Sequence, residues 1–130
     1  MIVDTSAIVA AVTDEPDGAV FRNAILGAES LAMAAITVLE TRIVLHSRYG
    51  TAAVSAFDEM LESFSIEVVP FDAELARVAF EAFRRYGKGQ GHPAQLNIVD
   101  CTAYALAKIR NETLLFKGDD FLRTDITRAL

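Results

Sequence analysis

Short apolar runs recur along the chain, and the clearest of them are followed by charged or turn-forming residues. The two clearest runs occupy residues 1–3 and 114–116, a third occupies 66–69, and a weaker fourth lies around 31–34. Continuous apolar runs of this length are typical of strands that are buried on both faces of a parallel sheet. The pattern therefore predicts buried strands at the two clearest runs and candidate strands at the other two.

Between these runs the spacing of apolar residues changes to the period of helices. The clearest case is 72–86, where Leu75, Ala79 and Ala82 lie on one stripe and Asp72 is suited to cap the N-terminus. Further predicted helices cover 6–13, 16–26, 36–48, 51–64 and 96–109. Because strands alternate with helices, the chain is predicted to form a three-layer α/β/α sandwich around a mostly parallel sheet.

Length and composition predict a single domain over 1–130, since 52% of the 130 residues are hydrophobic and 23% are charged. The longest nearly apolar stretches, 7–12 and 31–39, are far shorter than the roughly 20 residues that span a bilayer. The first residues include no basic leader, so we expect a cytoplasmic protein. Cys101 is the only cysteine, which excludes an intrachain disulfide and favours a core position.

The charge balance limits how the chain can contact nucleic acid. Eighteen acidic residues against twelve basic residues give a formal net charge of −6. A surface of this sign does not attract RNA or anionic membranes as a whole. Any contact with RNA must therefore come from a local group of cations.

Acidic residues follow the two clearest strands. Asp4 follows the first strand, and Asp119 and Asp120 follow the last. Ligands of open α/β sheets bind beyond the carboxyl ends of the strands, where helix N-termini point at them. The structural alternative is that Asp4 only caps the next helix and that Gly118-Asp119-Asp120 is an ordinary turn.

Glu40 has two interpretations, which depend on where its helix begins. Thr37 and Glu40 match the S/T-x-x-E capping box, a purely structural arrangement. If the helix begins earlier, around Ala34, Glu40 lies on an apolar stripe with Ile36 and Val44. A carboxylate on such a stripe predicts a nearby cation.

Asp100 lies near the start of a helix that is otherwise apolar. Between Ile98 and Ile109 the only charged residues are Asp100 and Lys108, so this helix is predicted to be buried. In the structural alternative, Asn97 caps the helix and Asp100 is a favourable first-turn acid. Capping explains one acid here but not the acids at the strand ends.

Several carboxylates in one place require a cation. Two carboxylates about 4 Å apart repel by roughly 4 kcal/mol at an effective dielectric constant near 20, which raises their pKa values or opens the fold. Oxygen ligands alone favour Mg²⁺ or Mn²⁺, whereas zinc sites normally include Cys or His. His46 and His92 have no Cys or second His nearby in the sequence, and we interpret both as non-ligands.

Four motifs extend over nearly the whole chain, from residue 1 to about residue 126. They are Asp4-Thr5-Ser6-Ala7, Glu40 in a middle helix, Asn97-x-x-Asp100-Cys101, and Phe116-Lys117-Gly118-Asp119-Asp120-Phe121. In this order and spacing they resemble the PIN-domain family, and within it the VapC toxins of bacterial type II toxin–antitoxin pairs.

The resemblance implies a PIN-like sheet of four or five parallel strands, a homodimer, Mg²⁺-dependent endonucleolytic cleavage of RNA, and inhibition by a cognate VapB antitoxin. By position, Asp4, Glu40 and Asp100 match the first three acids of the family. Asp120 fits the fourth better than Asp119, although Lys117 departs from the Thr-rich form of that motif. The catalytic candidates are thus Asp4, Glu40, Asp100, Asp120 and Asp119, and the implied metal ligands are Asp4, Asp100, Glu40 and Asp120.

Four further residues are candidates for binding the substrate. Ser6 is placed to hydrogen-bond a phosphate or a water, although a hydroxyl early in a helix is as often structural. Arg84, Arg85 and Lys88 form a cationic group at a helix-to-loop junction, which is equally typical of an ordinary solvated helix end.

Two other functions compete with the nuclease. A catalytically inactive PIN-like module that binds RNA or protein is one, but its decay would erase acids, and all four positions are acidic. Mg²⁺-dependent phosphatase or receiver chemistry is the other. The haloacid-dehalogenase pattern requires an Asp two positions after the first, where this chain has Ser6.

Overall fold

The computed structural model describes all 130 residues and contains strands that alternate with helices. In chain order the elements are β1 (Ile2–Val3), α1 (Thr5–Val12), α2 (Gly18–Gly27), β2 (Ala32–Ala34), α3 (Ala35–Tyr49), α4 (Thr51–Ser63), β3 (Glu67–Val69), α5 (Ala73–Tyr86), α6 (Ile98–Arg110) and β4 (Leu114–Leu115). Every helix and strand that the hydrophobic pattern predicts is present, with ends that differ by one or two residues.

The strands form one sheet in the order β3-β2-β1-β4, and every pairing is parallel. Ile2 of β1 is in register with Ala32 of β2 on one side and with Leu114 of β4 on the other. The predicted α/β/α sandwich with a mostly parallel sheet is confirmed, and the sheet has four strands. Central β1 therefore places the residue that follows it, Asp4, near the middle of the carboxyl edge of the sheet.

Two hydrophobic cores lie on opposite faces of this sheet. Ile2 and Leu114 pack in a core with α5 and α6, whereas Val3 and Leu115 pack in a core with α1, α2, α3 and α4. Successive residues of a strand point to opposite faces. Both residues of β1 and of β4 are fully buried, which explains why these strands are continuous apolar runs.

The edge strand β3 is the exception to this burial. Val68 is 45% exposed, and the exposed Glu67 forms an ion pair with Arg110 at the end of α6. Charged side chains on an edge strand hinder pairing with other chains.

Helix α2 begins at Gly18, two residues later than the sequence pattern predicts. A Cβ atom at residue 18 would lie 2.6 Å from the carbonyl oxygen of Ala10. The start of α2 is therefore so close to α1 that only glycine fits at this position. Residues 13–17 form the loop between the two helices, which we call the α1–α2 loop. This loop lies beside the carboxyl edge of the sheet, where it contributes to the site described below.

Helix α6 packs in the core with α5, and its residues from Val99 to Ala107 are buried. It ends at Asn111, which adopts the left-handed conformation with φ of 52°. Because Asp100 lies in the first turn of α6, burial of the helix carries this carboxylate into the interior. No helix of the chain has both the length and the apolar character needed to cross a membrane.

The first prediction concerns the core. Leu45 of α3 is fully buried, whereas Leu26 of α2 is 63% exposed. We expect Leu45→Ala to lower the free energy of unfolding by about 2–5 kcal/mol because it removes buried contacts and leaves a cavity. Leu26→Ala makes the same chemical change at the surface and should cost less than about 1 kcal/mol. Urea unfolding measures both, and equal losses would contradict the described packing.

Candidate active site

Acidic side chains from separate parts of the chain line one cleft of about 350 Å³. Larger cavities of about 520 Å³ and 610 Å³ lie elsewhere, and neither contains these acids. The acids of the cleft are Asp4, Glu15, Glu40, Asp100 and Asp120. We call this site the acid cleft. It brings together four of the five predicted catalytic residues and adds Glu15, which the sequence analysis did not select.

Asp4 is held at the start of α1 through one of its two carboxylate oxygens. Its Oδ2 atom accepts hydrogen bonds from the Ser6 backbone N–H at 3.0 Å and from Ser6 Oγ at 2.6 Å. Its Oδ1 atom is buried and has no hydrogen-bond partner. Burial raises the pKa of Asp4 above its ordinary value; the Ser6 hydrogen bonds oppose this, and the negative charge of Glu40 adds to it. A cation or a hydrogen-bond donor at Oδ1 would therefore stabilise the ionised form of Asp4.

Asp100 belongs both to a helix cap and to the acid cleft. Asn97 Oδ1 accepts a hydrogen bond from the Asp100 backbone N–H at 2.8 Å, and Asp100 Oδ2 accepts one from the Asn97 backbone N–H at 3.0 Å. Burial is the main cause that raises the pKa of Asp100 to about 7, and the charges of Asp4, Asp120 and Glu40 raise it further. No lysine or arginine is among the groups that affect it. The structural and functional interpretations of Asp100 are thus compatible.

Glu40 projects from the middle of the second turn of α3, not from a capping box. The helix begins at Ala35, and its N-cap residue, Ala34, makes no side-chain cap. Thr37 is fully buried inside the helix, and its carbonyl oxygen accepts a hydrogen bond from Thr41 Oγ1 at 2.8 Å. The structure therefore agrees with the second interpretation, in which the helix begins before Thr37. Glu40 lines the wall of the acid cleft.

The two neighbouring acids after β4 occupy different places. Asp120 lines the acid cleft and acts electrostatically on Asp100. Asp119 is exposed and lies outside the cleft. The turn between β4 and these acids passes through Gly118, whose φ of 93° lies in the region that favours glycine. The backbone turn therefore decides which of two identical side chains faces the other acids.

Comparison with known proteins decides the family. The model of the PIN domain matches residues 1–126 of this chain. The chain belongs to the PIN-domain family. Ribonuclease VapC28 of Mycobacterium tuberculosis is 45% identical over 130 residues, which cover 100% of this chain and 98% of the relative. The family identified from the four sequence motifs is thus confirmed.

Solved structures show the same fold at lower sequence identity. Mycobacterium tuberculosis VapC20, described as a toxin that cleaves the sarcin-ricin loop, superposes with a TM-score of 0.81 at 19% identity and covers 97% of this chain and 95% of its own. VapBC2 from Rickettsia felis, bound to a DNA fragment from its promoter, gives a TM-score of 0.71 at 18% identity and covers 93% and 89%.

In this PIN domain, Ser6 and Lys117 connect α1 to the end of β4. Ser6 Oγ, which donates to Asp4, accepts a hydrogen bond from the Lys117 backbone N–H at 3.0 Å. The Lys117 ammonium group contacts Glu15 and lies 2.8 Å from Asp17 Oδ1, so it ties the α1–α2 loop to the acid cleft. Ser6 therefore orients Asp4, which is a structural role beside the one predicted from the sequence.

The cations that the sequence analysis selected for RNA lie away from the acid cleft of the PIN domain. Arg84 pairs with Glu81, and Arg85 pairs with Asp125 at 3.6 Å. Both arginines line the separate cavity of about 520 Å³. Lys88 is exposed in the loop after α5 and does not line the cleft. The structure therefore does not bring these three residues to the acids.

The two histidines lie outside the acid cleft. His46 is exposed on α3, and His92 Nδ1 accepts a hydrogen bond from the Ala94 backbone N–H at 3.0 Å. A nitrogen that accepts this hydrogen bond is not free to bind a metal. Because neither histidine lines the cleft, carboxylate oxygens are its candidate ligands for a metal.

The donors of the acid cleft fit a hard divalent cation that keeps much of its water. No group of three or more His, Cys, Asp or Glu side chains is arranged to hold one ion directly. Mg²⁺ is commonly bound through one or two carboxylates and retains several waters. The unpartnered Asp4 Oδ1 and the Asp100 carboxylate match that requirement, and Glu40 and Asp120 line the same cleft.

The second prediction follows from the pKa of Asp100. In the unfolded chain this carboxyl group ionises near its ordinary value of 3.8, but in the folded protein it ionises at about 7. Between these values the folded state binds the additional proton, so the metal-free protein loses stability as the pH rises from about 4 to about 7. The full loss attributable to Asp100 is about 4 kcal/mol.

Urea unfolding in a metal chelator, at about pH 4 and about pH 7, measures this loss. Asp100→Asn should remove most of this loss. The raised pKa of Asp4 adds a loss of the same sign, and the lowered pKa values of Asp17, Glu67 and Asp125 act in the opposite direction near pH 4. Asp119→Asn, at an exposed acid outside the cleft, is the matched control and should keep the wild-type slope. An unchanged slope in Asp100→Asn would contradict the described environment of Asp100.

Proposed function

We propose that this PIN domain is an endoribonuclease and the toxin of a type II toxin–antitoxin pair. The observation that carries the proposal is the convergence of Asp4, Glu40, Asp100 and Asp120 in one cleft without a lysine or arginine that neutralises Asp100. Such a group of carboxylates is costly to fold and is suited to binding cations. The VapC ribonuclease relatives support RNA as the substrate.

The cofactor in this proposal is Mg²⁺, with Mn²⁺ as the alternative; Asp4, Asp100, Glu40 and Asp120 would hold it, directly or through its water ligands. When bound, a divalent ion lowers the pKa of a water molecule and stabilises negative charge on the phosphate and on the leaving oxygen. In the reaction, water attacks the phosphorus atom and the bond from phosphorus to the leaving oxygen breaks. No covalent intermediate with the enzyme forms.

The residues of the chain prepare the acid cleft for this reaction through their hydrogen bonds. Ser6 holds Asp4 Oδ2 and leaves Oδ1 directed away from protein donors. Asn97 holds Asp100 Oδ2 in the same way from the start of α6. Because each carboxylate is fixed by a helix start, the two oxygens that face the ligand need little reorganisation when it binds.

The proposed biological setting includes a VapB-type antitoxin, a homodimer and a cytoplasmic location. Toxin–antitoxin complexes among the structural neighbours support the antitoxin partner. The homodimer is proposed from the resemblance to VapC toxins, and Leu39 and Ile43, exposed one turn apart on α3, are candidate contacts for a second copy. An active ribonuclease in the cytoplasm would damage cellular RNA, so its inhibition by a partner is a requirement of the proposal.

The two competing functions lack such support. An inactive PIN-like binding module has no need for four acids in one cleft, and their mutual repulsion is a cost without a benefit there. Phosphatase chemistry of the haloacid-dehalogenase type requires a carboxylate where Ser6 lies, and the Ser6 hydroxyl is already bonded to Asp4 and Lys117.

The third prediction tests the nuclease. Asp100→Asn and Asp120→Asn should each lower Mg²⁺-dependent cleavage of labelled RNA by at least about a hundredfold, since loss of even an outer-shell partner can cost that much. Asp119→Asn removes the same charge one residue away, outside the cleft, and should retain activity. Melting temperatures without metal serve as the folding control, and Asp100→Asn should melt no lower than the wild type. Full activity in Asp100→Asn would refute the proposed site.

The fourth prediction concerns the antitoxin. An arginine fork pairs with carboxylates through two hydrogen bonds, so an uncompensated acid cleft is a suitable docking place for one. We expect an arginine of the antitoxin tail to enter between Asp4, Glu40 and Asp100, while apolar segments of the tail pack near the early helices. Replacing the basic residues of that tail one at a time by Gln, with RNA cleavage as the readout, tests this. If no replacement releases activity, inhibition works by another route.

A further inference from the structure

Arg48 brings a cation to the acid cleft from the far end of α3. Glu40, Val44 and Arg48 are spaced four residues apart on this helix, and all three line the cleft. Residues at this spacing share one helix face. The face of α3 that carries a candidate catalytic acid therefore also carries a guanidinium group.

No acidic side chain of the protein pairs with Arg48. Two cations line the acid cleft, Arg48 and Lys117. Lys117 is engaged by Glu15 and Asp17, whereas Arg48 is exposed and forms neither an ion pair nor a hydrogen bond. It is also not among the groups that shift the pKa of Asp4 or Asp100. Its guanidinium donors thus remain free for a ligand.

The position of Arg48 separates it from the reacting phosphate. Eight residues of α-helix correspond to about 12 Å along the axis between Glu40 and Arg48. The Cα–Cβ bonds of a helix tilt toward its N-terminus, so an Arg48 side chain that lines the cleft is suited to extend toward the Glu40 end of it. An arginine based this far along the helix is suited to a phosphate next to the one at the acids.

We propose that Arg48 binds a backbone phosphate of the substrate RNA next to the scissile one. This inference rests on the proposed ribonuclease function and assigns to it a substrate-binding residue outside the four acids. The need for such a residue is electrostatic, because a chain of net charge −6 with an acidic cleft repels a polyanion. Arginine suits the role because its planar fork matches the geometry of a phosphate.

A purely structural role for Arg48 makes a different prediction. Arg48 lies in the last turn of α3, where a cation interacts favourably with the helix dipole. Loss of that interaction would lower the melting temperature and leave RNA binding unchanged. The two roles are therefore separated by measuring substrate kinetics and stability on the same variants.

The fifth prediction compares Arg48→Gln with Arg42→Gln. Arg42 lies on the same helix but pairs with Asp58 and does not line the cleft, so it is a control that removes the same charge. For cleavage of a labelled single-stranded RNA of mixed sequence, Arg48→Gln should raise KM about tenfold and leave kcat within about twofold, because one charge-assisted phosphate contact is lost. Arg42→Gln should leave both parameters near those of the wild type, and Arg48→Lys should restore part of the loss in KM.

The salt dependence of KM gives a second readout. Removal of one phosphate contact on a single strand should reduce the slope of log KM against log salt by about 0.7 in Arg48→Gln and not in Arg42→Gln. Equal KM and slope in the two variants, with the wild type active, would overturn the inference and leave the nuclease intact. A lower melting temperature with unchanged KM would assign Arg48 to the helix alone. A wild-type protein that cleaves no RNA would overturn the proposed function itself.

Discussion

The burial of Asp4 and Asp100 together at the carboxyl edge of the sheet is the constraint on which the site depends. Burial raises the pKa of both carboxyl groups, that of Asp100 to about 7, and no cation of the chain offsets the effect on Asp100. The fold tolerates this because two hydrophobic cores on opposite faces of the sheet supply its stability. The acid cleft is thus a local cost that a cation removes.

The same hydrogen bonds that start two helices also orient the acids. Asp4 caps α1 through Ser6, and Asp100 completes the capping box of α6 with Asn97. In each case the cap occupies Oδ2 of the carboxylate. Structural and functional interpretations of an acid at a helix start are therefore not exclusive, since a carboxylate has two oxygens and a cap needs only one of them.

Cations govern every partner that the acid cleft can have. In the proposed function, a divalent metal and an arginine of the antitoxin would both bind the carboxylates of the cleft, whereas Arg48 would bind a phosphate of the RNA. If both bind the buried acids as proposed, they would compete, and activity and inhibition would be mutually exclusive. Arg48 lies farther along the cleft and stays outside that competition. Arg84 and Arg85 line a separate cavity, where they pair with Glu81 and Asp125 and do not reach these acids.

The sequence alone determined the helices and strands, the fold class and the family. The period of the apolar residues and the order of the acidic motifs can both be read directly from the order of residues in the chain. It also selected Asp4 and Asp100, since strand ends and helix starts are visible in the pattern. Only the tertiary structure decided that Asp120 and not Asp119 faces the cleft, because a single turn separates two identical neighbours. Likewise, Lys117 meets Glu15 across 102 residues of chain. Contacts between residues so far apart in the chain depend on the path of the whole backbone, and the local spacing of apolar residues does not predict them.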